Sequence, residues 1–125
     1  MKPRDAALRL RRFEASEKAR KVASLETMIL DFEHMSVDLS RQIAAEEERT
    51  GVRDPFHFAY STFAKAAALR RSNLLTSVAD LRLKLDAARL EHEEAVTELR
   101  KVEPIETRDT DRQLRKGDPN SAVIG

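Results

Sequence analysis

Apolar side chains recur at alternating intervals of three and four residues along two long stretches of this chain. They are Val22, Leu25, Ile29, Phe32, Ser36, Leu39 and Ile43 in the first stretch, and Leu74, Val78, Leu81, Leu85, Ala88, His92, Ala95, Leu99 and Val102 in the second, with Ser36 and His92 as polar members. This is the a/d spacing of a heptad repeat, which places the side chains along one face of a helix. The pattern predicts two long helices, each with one apolar line of side chains, called here the seam.

A short break with helix-ending and helix-starting residues separates the two stretches. Gly51 suits the position after a helix, Asp54 suits an N-cap, and Pro55 suits the first turn of a new helix. We therefore expect a turn at residues 50–54. A short link between long helices favours antiparallel neighbours.

The expected fold class is all-α: an elongated, antiparallel two-helix coiled-coil hairpin over residues 1–104. Its helices should span residues 4–49 and 55–103, each roughly 70 Å long at 1.5 Å per residue. The polar segment 105–125 is expected to be a flexible, disordered tail.

The predicted turn also sets which residues face each other. A turn centred near residue 52 places Ile29 near Leu74. Towards the N-terminus the seam is poorer, because Arg11 and Lys18 fall on seam positions while Leu10 and Phe13 fall off them. We therefore expect a local phase shift in the first turns of the first helix.

Composition agrees with a helical hairpin. The chain has 125 residues, 36% of them charged and 5% aromatic, and no cysteine, which rules out disulfides and thiol chemistry. Formal charge is about +5 over residues 1–25, about −5 over 26–50, about +3 over 51–75 and about −2 over 76–103. Folding at Gly51 places blocks of opposite sign side by side. No run approaches a membrane span, and Met1–Asp5 begins no signal peptide, so we expect a cytoplasmic protein without membrane insertion.

No pattern typical of an enzyme or a cofactor site is present. His34, His57 and His92 are far apart in sequence, and Leu90–Ala95 has a His-Glu pair but lacks the second histidine of a zinc-protease motif. There is no glycine-rich phosphate loop and no nucleophile elbow. We expect no catalytic, metal or cofactor-binding residues, and we interpret His92 as a polar seam residue.

Four of the six aromatic residues, Phe56, Phe58, Tyr60 and Phe63, cluster after the break. Tyr60 falls on a seam position and should face inward, while Phe56 or Phe58 should remain partly exposed. Exposed aromatic patches often mark interaction sites. The alternative is that the cluster folds over the hairpin turn and closes the end of the seam.

Basic residues dominate the N-terminal stretch: Arg4, Arg9, Arg11, Arg12, Lys18, Arg20 and Lys21. They could dock on an acidic protein surface or on nucleic acid. The alternative is a solvated face that pairs with Glu91, Glu93, Glu94 and Glu98. The near-neutral total charge weighs against nucleic acid.

A further apolar pair, Met28 and Met35, lies beside the seam of the first helix. The pair could widen the seam, or it could form a homodimer surface that gives a four-helix bundle.

The chain resembles the FliJ family of flagellar type III export proteins, in the short alphaproteobacterial form. The matching segments are Met1–Asp5, Leu8–Phe13, Glu17–Val22, Ile43–Glu48, Asp54–Tyr60 and Ala66–Leu74. The segment Asp54–Tyr60, with its aromatic residues, is the most distinctive of them.

The resemblance implies a non-enzymatic, stalk-like coiled coil that bridges the hexameric export ATPase ring and the cytoplasmic domain of the membrane export gate, with export chaperones as further partners. It implies that Phe56, Phe58, Tyr60 and Phe63 bind the gate. It also implies that Arg4, Arg9, Arg11, Arg12, Arg20 and Lys21, with Leu99–Val102, belong to the ATPase end. The protein would be cytoplasmic and peripheral to the membrane-bound apparatus. The remaining alternatives are a basic coiled-coil protein that binds nucleic acid and a generic scaffold or adaptor.

Overall fold

The computed structural model describes residues 2–103 of the chain. Two long helices make up most of this part: α1 spans Pro3–Thr50 and α2 spans Thr62–Val102. They pack against each other, so the all-α hairpin predicted from the seam pattern is confirmed. The tail expected over residues 105–125 lies outside the described residues.

Side-chain bonds between the helices show that α1 and α2 run antiparallel. Arg82 Nη2 donates to Glu33 Oε2 at 2.9 Å, and Ser61 Oγ donates to Glu46 Oε1 at 2.9 Å. The partner of the later residue on the first arm, Glu46, comes earlier in the second arm than the partner of Glu33. Such an order of contacts requires the two arms to run in opposite directions.

The helices pack in two compact units, and each unit contains part of both helices. In the unit Ala19–Leu90, Ile29 packs with Val78, Leu81 and Leu85. A second cluster holds Leu39, Ile43, Ala64 and Ala67. The predicted seam residues of this unit that are half-buried are Val22, Leu25, Phe32 and Leu74. Burial of apolar area at about 25 cal/mol per Å² makes these clusters the main stabilising contacts of the unit.

The start of α2 differs from the prediction, because Asp54 does not cap a helix. Its carboxylate accepts the N–H of Phe56 at 3.0 Å, and its carbonyl accepts the N–H of His57 at 3.0 Å. This is a β-turn with Pro55 at its second position, where proline is favoured. An Asp-Pro pair can open either a helix or a turn, and here it opens a turn.

The cap of α2 is Ser61, whose Oγ accepts the N–H of Ala64 at 3.1 Å. The helix therefore begins at Thr62 rather than at residue 55, and the connection spans 51–61 rather than 50–54. A longer connection moves the point about which the arms fold. As a result Ile29 packs against Val78 and its neighbours instead of lying near Leu74.

The other unit comprises Met1–Lys18 with Glu91–Gly125, described over residues 2–18 and 91–103. Leu8 and Ala15 are buried here, and Arg11 and Lys18 are half-buried and alternate with them in the same three-and-four spacing. From α2, Leu99 and Val102 are half-buried.

The predicted phase shift near the N-terminus is wrong, since Leu10 and Phe13 are 54% and 61% exposed. The seam tolerates its two basic residues because long side chains bury their stems while their charged ends reach partners. Arg11 bonds Glu14 at 3.1 Å, and Lys18 bonds Glu91 at 3.0 Å across the helices.

Candidate partner-binding site

The connection at residues 51–61, called here the aromatic turn, carries the two most exposed large apolar side chains among the described residues. Phe56 is 95% exposed and Phe58 is 96% exposed. Phe63, just inside α2, is 56% exposed, whereas Tyr60 is half-buried against the cluster of Leu39 and Ile43. Of the four aromatic residues, only Tyr60 joins the seam. Phe56 and Phe58 do not close its end, so the alternative in which the whole cluster covers the seam is wrong.

The backbone of the aromatic turn is held by a series of local hydrogen bonds. After the β-turn at Asp54, the carbonyl of His57 accepts the N–H of Tyr60 at 3.0 Å, and its Nδ1 accepts the N–H of Ala59 at 3.0 Å. The His57 ring stacks on Phe58 with ring centroids 4.7 Å apart. The exposed rings therefore project from an ordered backbone, which reduces the entropy lost on binding.

Gly51 begins the turn with a φ of 74°, the left-handed conformation that commonly ends a helix. Its N–H donates to the carbonyl of Glu47 at 2.9 Å, and Thr50 Oγ1 accepts the N–H of Val52 at 3.2 Å. These bonds satisfy backbone groups that the end of α1 would otherwise leave without partners.

Two glutamates at the end of α1 fasten the turn to the start of α2. Glu46 accepts from Ser61 Oγ at 2.9 Å, and Glu47 accepts from the Tyr60 hydroxyl at 2.8 Å. Hydrogen bonds from Arg49 and then from Ser61 lower the pKa of Glu46 to about 2. The bond to Glu47 raises the pKa of Tyr60. These hydrogen bonds hold the C-terminal end of the aromatic turn against the last turns of α1.

The basic residues near the N-terminus, which form the second candidate binding surface, differ in exposure and in ion pairing. Arg4, Arg9 and Arg12 are exposed and make no ion pair within residues 2–103. Arg11 is half-buried and bonded to Glu14. The remaining two, Arg20 and Lys21, belong to the unit Ala19–Leu90 and interact with other groups.

On the Met1–Lys18 segment, Leu10 and Phe13 lie on the same outer side of α1 as Arg9 and Arg12, at spacings of three and four residues. The available basic surface is therefore Arg4, Arg9 and Arg12 with two apolar neighbours. Of the acidic partners expected for the basic residues, Glu91 forms an ion pair with Lys18. The pKa of Glu98 is lowered mainly by a hydrogen bond from Lys101, and to a smaller extent by the charge of Arg11.

Ser61 and Glu46, which position the aromatic turn, were not predicted from the sequence. Ser61 is an N-cap residue type standing two residues before Phe63, so a signal was present, but the pair Asp54-Pro55 offered a competing helix start. The exposed line of leucines on α2, formed by Leu69, Leu83 and Leu90, was not predicted either.

A comparison with family models, curated proteins and solved structures found no match to this chain. Within residues 2–103 no group of three His, Asp or Glu side chains is arranged to hold a metal ion. No helix in that range is apolar over a length that would cross a membrane.

Proposed function

We propose that this chain is a non-enzymatic component of a flagellar type III protein export apparatus. In this role it bridges the export ATPase and the cytoplasmic domain of the membrane export gate, and it assists the transfer of export substrates and their chaperones. The protein works from the cytoplasmic side, peripheral to the membrane-bound apparatus. The aromatic turn contacts the gate, and the basic surface at Arg4, Arg9 and Arg12 contacts the ATPase.

The antiparallel hairpin supports this proposal, because the family that the sequence resembles implies such a fold. Two distinct candidate binding surfaces on one helical hairpin suit a protein that joins two others. Function still has to be argued from the sites rather than from the fold, since two-helix hairpins serve many purposes.

The exposure of Phe56 and Phe58 is the observation that carries the proposal. Two phenylalanine rings, 95% and 96% exposed, lie in water on an ordered turn and contribute little to the hairpin's own stability. Aromatic side chains in this state are typical of binding hot spots, where burial against a partner removes their apolar area from water.

The test of the gate contact is a double substitution, Phe56→Ser with Phe58→Ser. It should abolish binding to the gate's cytoplasmic domain and reduce motility in a complementation assay, while helix content stays unchanged. The control is Leu30→Ser, which removes an apolar side chain that is 56% exposed on α1. Retention of both gate binding and motility by the double variant would disprove the gate assignment.

The ATPase contact is tested by Arg9→Glu with Arg12→Glu, because these two side chains are exposed and make no ion pair within residues 2–103. The variant should lose stimulation of the export ATPase and retain gate binding. The control is Arg41→Glu, a substitution at an arginine paired with Asp38 at 3.5 Å. Equal stimulation by the wild type and the double variant would exclude the basic surface from this contact.

The same arginines, which make no ion pair within residues 2–103, suit the second candidate function, binding to nucleic acid. That function predicts a gel shift whose affinity falls steeply as salt rises, since counterions are released on binding. A shift that Arg9→Glu with Arg12→Glu abolishes, together with no effect on the export ATPase, would favour this candidate.

A further inference from the structure

A second line of apolar side chains runs along the face of α2 that points away from the seam. Leu69, Leu83 and Leu90 are 65%, 70% and 56% exposed. They are separated by multiples of seven residues, so they occupy the same position of the heptad on the outer side of the helix. All three belong to the unit Ala19–Leu90.

Together with smaller neighbours, these leucines form a series spaced by threes and fours, called here the outer stripe. Its members, all exposed, are Ala66, Leu69, Asn73, Thr76, Asp80, Leu83, Ala87 and Leu90. The corresponding outer positions of α1 in this unit carry no leucine: they are Arg20, Ser24, Thr27, Asp31, His34, Asp38, Arg41, Ala45 and Glu48. Within this unit, leucines at these outer positions are therefore found on α2 and not on α1, and a line of exposed leucines on one face can mark an interaction site.

The outer stripe is complementary to itself when two copies run in opposite directions. Leu69 of one copy then meets Ala87 of the other, and Leu90 meets Ala66. Large residues face small ones at both ends, the arrangement that allows close packing between helices, and Leu83 meets Asn73 between the ends and the centre. Thr76 meets Asp80 near the centre, where a hydroxyl can donate to a carboxylate.

We propose that this face of α2 binds a second copy of the same chain, antiparallel, so that two hairpins form a four-helix bundle. A parallel pair is disfavoured because it would set Asp80 of one copy directly against Asp80 of the other. The antiparallel pair separates these carboxylates and gives each a threonine neighbour. The proposal does not depend on the export function.

The size of the stripe indicates a weak and reversible dimer. It extends roughly 36 Å at 1.5 Å per residue. A contact of this length covers on the order of 1,000 Å² in total, at the low end for specific interfaces, so association in the micromolar range is expected. In this arrangement Arg70 of one copy lies opposite Lys84 of the other, so added salt should screen their repulsion and strengthen the dimer.

Sedimentation velocity of the full chain over a concentration series tests the proposal. The mass should rise from that of the 14.2 kDa monomer towards twice that value, and more readily at high salt. Leu90→Lys should remain a monomer, with Leu83→Lys as a second variant, while circular dichroism shows unchanged helix content. The matched control is Leu30→Lys on α1, because Leu30 and Leu90 are both 56% exposed. A monomer at every concentration, or dimerisation of both stripe variants, would overturn the proposal.

The direction of pairing is tested with single cysteines, since the chain has none of its own. Ala79 lies near the expected two-fold axis, so Ala79→Cys should form a disulfide-linked dimer under mild oxidation. Ala66→Cys should not, because in the antiparallel pair residue 66 of one copy faces Leu90 of the other. Efficient cross-linking through residue 66 would show a parallel pair, in which this position faces the same position of the other copy, and would contradict the proposed arrangement.

Discussion

The hydroxyl of Ser61 donates a hydrogen bond to Glu46 while its oxygen accepts the N–H of Ala64 in the first turn of α2. The donor bond to Glu46 Oε1 is 2.9 Å long, and the bond from the N–H of Ala64 is 3.1 Å long. One side chain thus caps α2 and ties its first turn to the last turn of α1. This relationship decides where the second helix begins and how the aromatic turn is held.

Ser61→Ala should therefore lower the free energy of unfolding by about 1 kcal/mol, the usual cost of losing an N-cap, with a further small loss from the bond to Glu46. Ser61→Asp retains a capping group but sets a second carboxylate beside Glu46, so it should be less stable than Ser61→Asn. Urea denaturation measures all three. Thr62→Ala, next to the cap and exposed, is the control that should change little.

Acid should weaken the hairpin partly through Glu46. Hydrogen bonds from Arg49 and Ser61 lower its pKa from 4.5 to about 2 in the folded chain. The unfolded chain therefore takes up a proton as the pH falls below about 4.5, while the folded chain resists until about pH 2. The contribution of Glu46 to the free energy of unfolding is therefore complete above about pH 4.5. It is lost progressively as the pH falls from about 4.5 to about 2. Between pH 7 and pH 2 the melting temperature of Glu46→Gln should fall by less than that of the wild type. An equal fall in the melting temperatures of the two proteins would contradict this role of Glu46.

Gly51→Ala tests the left-handed end of α1. No atom lies within 4 Å of the position that a Cβ would take, so the substitution meets no clash. The cost should come from the backbone alone, about 1–2 kcal/mol at a φ of 74°. Gly51→Asn should cost less, because asparagine tolerates this conformation better. Equal stability of the glycine and alanine proteins in denaturant would show that the backbone relaxes away from this conformation.

The continuous seam near the N-terminus can be tested with two leucines two residues apart. Leu8 is 9% exposed and Leu10 is 54% exposed. Leu8→Ala should cost about 2 kcal/mol, the low end for a buried leucine, since a seam between two helices collapses more readily than a globular core. Leu10→Ala should be close to neutral. If urea denaturation showed a larger loss of stability for Leu10→Ala than for Leu8→Ala, the phase shift predicted from the sequence would be supported.

The exposed rings of the aromatic turn should be dispensable for folding. Phe56→Ser with Phe58→Ser should leave the free energy of unfolding within about 0.5 kcal/mol of the wild-type value, because both rings lie almost wholly in water. Tyr60→Phe removes only the bond to Glu47 and should be mildly destabilising. If the double serine variant is strongly destabilised, the rings pack on the hairpin in solution and are not free for a partner.

Much of the fold could be predicted because heptad spacing is a local property of the chain. The seam positions from Val22 to Ile43 are buried or half-buried in the structure, as are those from Leu74 to Val102. The end of α1 was predicted to within one residue, since only Gly51 there suits a left-handed backbone. The candidate site was predicted in part: the exposure of at least one turn phenylalanine was expected, and both are exposed.

The start of α2 could not be predicted in this way, because Asp54-Pro55 and Ser61 are both acceptable helix starts locally. The choice depends on Glu46, which bonds Ser61 only once the arms are folded together. The same is true of Arg11 and Lys18. Their place in the seam depends on the packing that buries Leu8 and Ala15, and on the acidic groups that the charged ends reach.

The sequence alone determined that this chain forms two helices with one seam each, joined at a break beside Gly51, because periodicity and glycine act through neighbouring residues. The tertiary structure decided the register between the arms, the capping residue of α2, and which aromatic and leucine side chains remain in water. Those outcomes depend on which side chains meet across the hairpin, and that pairing exists only after the helices have packed.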